Sequence, residues 1–184
     1  KSSFRDMTDF VRMFRDHQAL EKQNFVVDFW KLERVEDDHD LQMLVVADRL
    51  VPVPVSSSSY YISPVFPKKT HFARLFTVQF IHEFTADFYA GTQSGKEIFI
   101  VNAKTKKIKK ITREKTRRIK ITALVRTRVY QAALVKRLPK GQAASDKNGL
   151  VCQSSHLAGT TFDFSTRDLS PSEMCWVLEY LYQK

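Results

Sequence analysis

Three features of the sequence predict an α+β domain, with a small and mainly antiparallel sheet packed on helices. Phe72, Phe76, Phe80, Phe84 and Phe88 recur every four residues after Thr70, with Leu75 beside them, the apolar stripe of a helix lying on a core. Glu97 to Asn102, through Ile98, Phe99, Ile100 and Val101, and the alternating pair Ile119 and Ile121 have the composition of strands. Ser170-Pro171-Ser172-Glu173 joins a capping box to a proline at the first helical position, the signature of a helix start.

The chain has 184 residues, of which 43% are hydrophobic and only five are glycine. That is enough for one globular domain, with room for an extension, burying about 70% of its unfolded surface without staples. No run approaches the roughly 18 apolar residues of a membrane span, and no signal peptide is visible. Residue 1 is Lys, so an export segment removed earlier is compatible with these residues. Cys152 and Cys175 are too few for a disulfide scaffold and read as buried small hydrophobes.

In chain order, Met7, Phe10, Val11 and Phe14 fall at helical spacing, which predicts a helix from residue 4 to about 22. Asn24 to Val35 is apolar and aromatic and fits either strand or helix. Glu36-Asp37-Asp38-His39-Asp40 reads as a solvated acidic turn, because neither glycine nor regular ligand spacing accompanies it. Leu50 to Pro67 holds four of the six prolines and Ser56-Ser57-Ser58-Ser59, so an extended strap is expected. Thr70 is placed as the cap of the Phe-rich helix, which then takes in His71 and His82 as structural or surface histidines. Thr127 caps a helix over Arg128 to Leu138, stopped by Pro139 and Gly141, and Lys140 to Gly149 is a loop. The helix from Pro171 has the core stripe Met174, Val177, Leu178 and Leu181. The expected division is an N-terminal helix and strap over 1–67 and a main domain over 68–184, with a basic hairpin inserted at about 102–120.

Lys104 to Lys120 contains ten Lys or Arg against one Glu, a local +9 in a chain whose net charge is +10. Such a run could meet nucleic-acid phosphates. It lacks the interleaved aromatics of a single-strand binder and any groove-reading motif, so a solvated hairpin attracted to an anionic polymer is the better reading.

The chemistry concentrates in Ser154-Ser155-His156-Leu157-Ala158-Gly159-Thr160-Thr161-Phe162-Asp163. An imidazole and a carboxylate seven positions apart cannot share one face of a strand, so the chain must turn between them. Gly159 can take a positive φ or let another backbone approach, as such a turn needs. Histidine nitrogen and aspartate oxygen are both zinc ligands, and a catalytic zinc site takes three protein ligands and keeps a position open.

Ser154-x-His156-x-x-Gly159-x-Thr161-x-Asp163 resembles the S-x-H-x-x-G-x-A-x-D signature of the zinc D-Ala-D-Ala carboxypeptidases, the vancomycin-resistance and Hedgehog-fold type, with Thr161 in place of the usual alanine. Upstream, Thr122-x-x-x-Arg126-Thr127-x-x-x-Gln131 resembles that family's arginine segment, S-x-x-R-S-x-x-x-Q, in order and in the Arg-to-Gln interval. The likeness covers roughly Ile119 to Lys184 and is nearest to a bacterial envelope branch of the group.

The resemblance implies a Hedgehog/D-Ala-D-Ala-peptidase-like fold, with zinc as cofactor and His156 and Asp163 as metal ligands. Arg126 would be the catalytic oxyanion or carboxylate-binding group, and Ser154 and Gln131 would contact substrate. It implies a hydrolase acting on peptidoglycan peptide at D-amino-acid linkages, in the periplasm or cell envelope. The family's E-x-x-H element, which brings the general base and the third ligand and should follow the motif, does not occur between Asp163 and Lys184, so a longer natural chain is expected and the 184-residue piece is expected to bind zinc weakly and to show no peptidase activity. The alternative is a non-catalytic cell-wall-binding module of the same fold. A basic nucleic-acid-binding protein is the more distant option.

Overall fold

The computed structural model describes residues 24–92, 97–101, 108–112, 117–137 and 154–183. Among these, the elements in order are α1 (Asp38–Val46), β1 (Val51–Pro52), β2 (Tyr60–Ile62), β3 (Phe72–Ala73), α2 (Leu75–Gly91), β4 (Glu97–Val101), β5 (Ile108–Thr112), β6 (Ile119–Ala123), α3 (Arg128–Arg137), β7 (Asp163–Phe164) and α4 (Pro171–Gln183). A helical segment at residues 24–29 precedes them. The class is α+β. The helix expected over 4–22, the loop over 140–149, Leu138 and Cys152 lie outside the described residues.

Two compact units divide the chain, the first drawn from Lys1–Val53, Lys68–Thr77 and Leu124–Phe162, the second from Pro54–Pro67, Val78–Ala123 and Asp163–Lys184.

In the first unit the ambiguous stretch from Asn24 resolves into a helix and no strand. Residues 24–29 are helical, and after a turn the chain runs without regular structure to Glu36. The acidic cluster starts a helix where a free turn was expected. The Asp37 carboxylate accepts the amides of His39 and Asp40 and so caps α1, and Asp38 and Asp40 sit in the first turn, where the helix dipole favours anions. Leu41 of α1 packs with Val35, Leu50 and Val125 in a small core against which Phe72 rests. β1 and β3 pair antiparallel, Val51 opposite Ala73. α3 begins as expected, the Tyr130 amide donating to Thr127 Oγ1 at 3.2 Å.

In the second unit β6 is central, parallel to β2 (Tyr60 opposite Ile119) and antiparallel to β7 (Ile121 opposite Phe164). Its buried residues Ile119, Ile121 and Ala123 alternate with half-buried ones, the period of a strand with one covered face. β4 and β5 form an antiparallel hairpin from Glu97 opposite Thr112 to Val101 opposite Ile108. α4 opens through the expected capping box: the Ser170 amide donates to Glu173 Oε2 at 2.7 Å and the Glu173 amide to Ser170 Oγ at 3.3 Å. Val177 and Leu178 are its buried apolar residues, whereas Cys175 is exposed, contrary to the expectation of a buried thiol.

The phenylalanine stripe is half right. Phe72 belongs to β3, Thr70 ends a 3-10 turn, His71 lies before the helix, and α2 begins only at Leu75. Each four-residue step overshoots a helical turn by about 40°, so a run of such steps drifts off the buried face. Phe76 is accordingly 50% exposed while Phe84 and Phe88 are fully buried. The covered face of α2 is Val78, Ile81, Phe84, Thr85 and Phe88. Phe84 is ringed by Phe164, Trp176 and Tyr180, with centroids 5.4, 6.4 and 5.5 Å away. Burying one such ring stabilises the fold by about 1.5–3 kcal/mol.

Candidate functional site

The decapeptide that carries His156 and Asp163 folds as a 3-10 turn over Ser155–Ala158, closed by Gly159 in the left-handed region at φ 68°. A Cβ on Gly159 would lie 2.6 Å from Leu50 Cδ2 and 3.4 Å from the Arg74 amide, so this position needs both the positive φ and the missing side chain.

Every backbone carbonyl from Ser154 to Gly159 is bonded. Ser154 O accepts from the Leu157 amide, and Ser155 O accepts from the Thr160 amide and, at 3.1 Å, from Thr160 Oγ1. His156 O accepts from the amides of Gly159 (3.2 Å) and Arg126 (3.0 Å), and Leu157 O from that of Val35 (2.8 Å). Ala158 O accepts from Arg74 Nε (3.0 Å) and Gly159 O from the Arg74 amide (2.9 Å). Three distant segments therefore grip a four-residue turn, which offsets the poor intrinsic stability of short 3-10 helices.

His156 is 6% exposed, and its Nδ1 lies 2.7 Å from the carbonyl oxygen of Leu124. A carbonyl only accepts, so in the neutral ring Nδ1 carries the proton and Nε2 holds the lone pair. Metal-binding histidines are oriented in this way by an acceptor on the ring nitrogen that does not meet the metal.

Arg126 stands just before α3. Its Nη1 donates to Gln131 Oε1 at 3.2 Å. Gln131 is fully buried on the first turns of α3, and its Nε2 has no hydrogen-bond partner among the described residues. The same holds for the hydroxyl of Ser154, which is 1% exposed. Leaving a buried polar group unpaired costs about 1–3 kcal/mol; Arg34 Nε and Thr77 Oγ1 of the same unit are in the same position, and Gln131 Nε2 and Ser154 Oγ are the two that belong to the motif segments.

Arg126, Gln131, Ser154 and His156 thus share the first unit, and Arg126 bonds His156 through its amide and Gln131 through its side chain. Asp163 belongs to the second unit, where it is exposed at the start of β7 opposite Ala123. Among the described residues no three His, Cys, Asp or Glu side chains gather closely enough to hold a metal ion. His39 is exposed on α1, and His82 is exposed on α2 against the Tyr60 ring at 5.5 Å. Arg118, at the end of the basic stretch, lies over the Tyr61 ring at 5.2 Å. No described helix is long and apolar enough to cross a membrane.

The sequence reading passed over Arg74 and Glu33. Arg74 is 5% exposed, and its Nη2 donates to the backbone oxygen and the Oε2 of Glu33, at 3.1 and 3.0 Å. Hydrogen bonding by its own backbone and by Arg74 holds the Glu33 carboxyl below the usual carboxylate range. The available signal was a lone arginine inside the apolar run from Phe72 to Phe76.

Compared with family models, with curated proteins and with solved structures, the chain finds no match in any of the three.

Proposed function

We propose that this chain is a zinc-dependent peptidase-like domain of the bacterial cell envelope, acting on peptidoglycan peptide at D-amino-acid linkages. The observation that carries the reading is the fixing of His156. Its Nδ1 lies 2.7 Å from the Leu124 carbonyl inside a turn whose carbonyls are all bonded, the orientation that an acceptor on the other ring nitrogen gives a metal-binding histidine. His156 would supply one ligand of the ion. Zinc, when bound, supplies Lewis acidity, lowering the pKa of its water to about 7 and polarising the scissile carbonyl.

The chain's own groups bind and orient the peptide. The Arg126 guanidinium, braced by Gln131 Oε1, presents a planar fork to a substrate carboxylate or to developing oxyanion charge. The Ser154 hydroxyl and the Gln131 amide nitrogen offer hydrogen bonds to the peptide. Thr161 departs from the alanine of the resembled signature without loosening the turn, since its hydroxyl donates to Ser155 Oγ at 2.5 Å.

The buried Ser154 hydroxyl and Gln131 amide also support a second reading, a module that binds wall peptide without cutting it, because neither group needs a metal to act. Calorimetric titrations of the 184-residue chain with zinc, and with a peptide ending in D-Ala-D-Ala in the presence and absence of zinc, separate the two. Zinc binding that His156→Ala weakens at least tenfold supports the peptidase reading. Peptide binding that is indifferent to zinc and to His156→Ala selects the binding module, and the absence of both heats rejects the proposal.

A further inference from the structure

The geometry points to Arg74 as the positioning residue of the His156 turn; its value to catalysis rests on the reading of His156 as a metal ligand, whereas its effect on the ring does not. A 3-10 turn ends with carbonyls that lack partners within the turn. Here the last two, on Ala158 and Gly159, are both taken by Arg74, through Nε at 3.0 Å and through its amide at 2.9 Å. The same guanidinium reaches back with Nη2 to the carbonyl and carboxylate of Glu33. Two positions further on, the Val35 amide holds Leu157 O at 2.8 Å. Arg74 therefore locks the 33–35 strap and the C-terminal end of the turn into one frame, and His156 sits at the start of that frame.

An arginine is the side chain that can do this. Its separate donors lie in a fixed plane, so one can serve Ala158 while another serves Glu33; a lysine ammonium is a single centre and serves one of them well. At 5% exposure the charge is also costly to bury, and Glu33 offsets that cost as an ion partner at 3.0 Å with half of its own side chain in water. Arg74 holds the end of the turn at Ala158 and Gly159, and Arg126 holds it at His156 O, so the backbone that carries the His156 ring is fixed on both sides of Leu157 while Nδ1 meets Leu124 O.

Nitrogen NMR of the His156 ring tests this without a metal or turnover. In the wild-type chain the ring shows the Nδ1–H tautomer, the minor form of a free imidazole. Arg74→Met keeps the backbone bond to Gly159 but loses the others; its His156 signals move toward the free-imidazole mixture, and Arg74→Lys brings them part of the way back. A folded Arg74→Met protein with wild-type His156 signals overturns the inference. If Arg74→Met does not fold, Arg74→Lys decides: intermediate signals support the role, unchanged ones overturn it. Zinc titration of the same proteins is the second arm, with affinity about tenfold or more weaker in Arg74→Lys, the loss common for groups that orient a ligand. A wild-type chain that takes up no zinc defeats the proposed function and leaves the nitrogen signals to judge Arg74.

Discussion

The backbone amide of Arg126 donates to the carbonyl oxygen of His156 at 3.0 Å. Two stretches far apart in sequence, each singled out for its residue types, are joined by this bond, and the arginine side chain is left to Gln131. Any substitution at Arg126 other than proline keeps the amide, so chemistry and turn geometry can be separated there.

Arg126→Lys is expected to leave the fold and the His156 tautomer unchanged. Under the proposed reading it weakens binding of a peptide ending in D-Ala-D-Ala about tenfold or more, because an ammonium cannot reproduce the planar fork. Calorimetry beside a tautomer measurement checks this. Undiminished affinity would leave Arg126 with a structural role alone.

Ser154→Ala should separate stability from binding. The hydroxyl is buried and has no partner among the described residues, so its removal relieves a desolvation cost. Urea unfolding should show a protein as stable as the wild type or up to about 1 kcal/mol more stable. Affinity for the wall peptide should fall at the same time. Loss of stability would mean that the hydroxyl serves the fold.

How much could be read in advance depended on how local each interaction is. The box from Ser170 to Glu173, the Thr127 cap and the left-handed Gly159 are set by residues within a few positions of one another, and all three occur. Asp37 was misjudged because the same carboxylate-to-amide bonds start a solvated turn or a helix, and Leu41, which packs on Val35, Leu50 and Val125, favours the helix. The phenylalanine stripe misled at Phe72 because the pairing of β3 with β1 overrides helical periodicity. The parallel pairing of β2 with β6 and the reach of Arg74 to Ala158 and Glu33 join distant segments, for which no local pattern exists. His156 and Arg126 were found through a resemblance in motif, and their link through a backbone bond became visible only in the structure.

Gly159→Ala should destabilise the protein by about 2–5 kcal/mol, read as a lower urea midpoint at unchanged slope. A side chain at φ 68° costs about 1–2 kcal/mol. Forcing the new Cβ against Leu50 Cδ2, 2.6 Å away, adds an overpacking cost of about 1–3 kcal/mol. Leu50→Ala in the same background should recover part of the second contribution, so a double-mutant cycle should show coupling of about 0.5 kcal/mol or more between these positions. Additive behaviour would place the whole cost in the backbone.

Tyr180 gives the alkaline limb of the stability profile. Its hydroxyl donates to Asp87 Oδ2 at 3.0 Å in the aromatic cluster around Phe84. Burial first, and the bond to the Asp87 carboxylate second, push its phenol from 10.0 up to about 12. The unfolded chain releases this proton near the ordinary value while the folded chain retains it, so more protons are bound in the native state between the two values, and stability falls as pH rises. The contribution is fully present below pH 10.0, declines through the window and is gone above about 12. Tyrosinate absorbance should show Tyr180 ionising late, beside Tyr60, whose phenol burial also raises, and Tyr180→Phe should remove one late proton from the titration. Urea midpoints at about pH 9 and about pH 11 should differ more in the wild type than in Tyr180→Phe. Asp87→Asn should narrow the window, because the neutral amide no longer opposes the phenolate while burial still does. Equal midpoint shifts in all three proteins would remove Tyr180 from the alkaline transition.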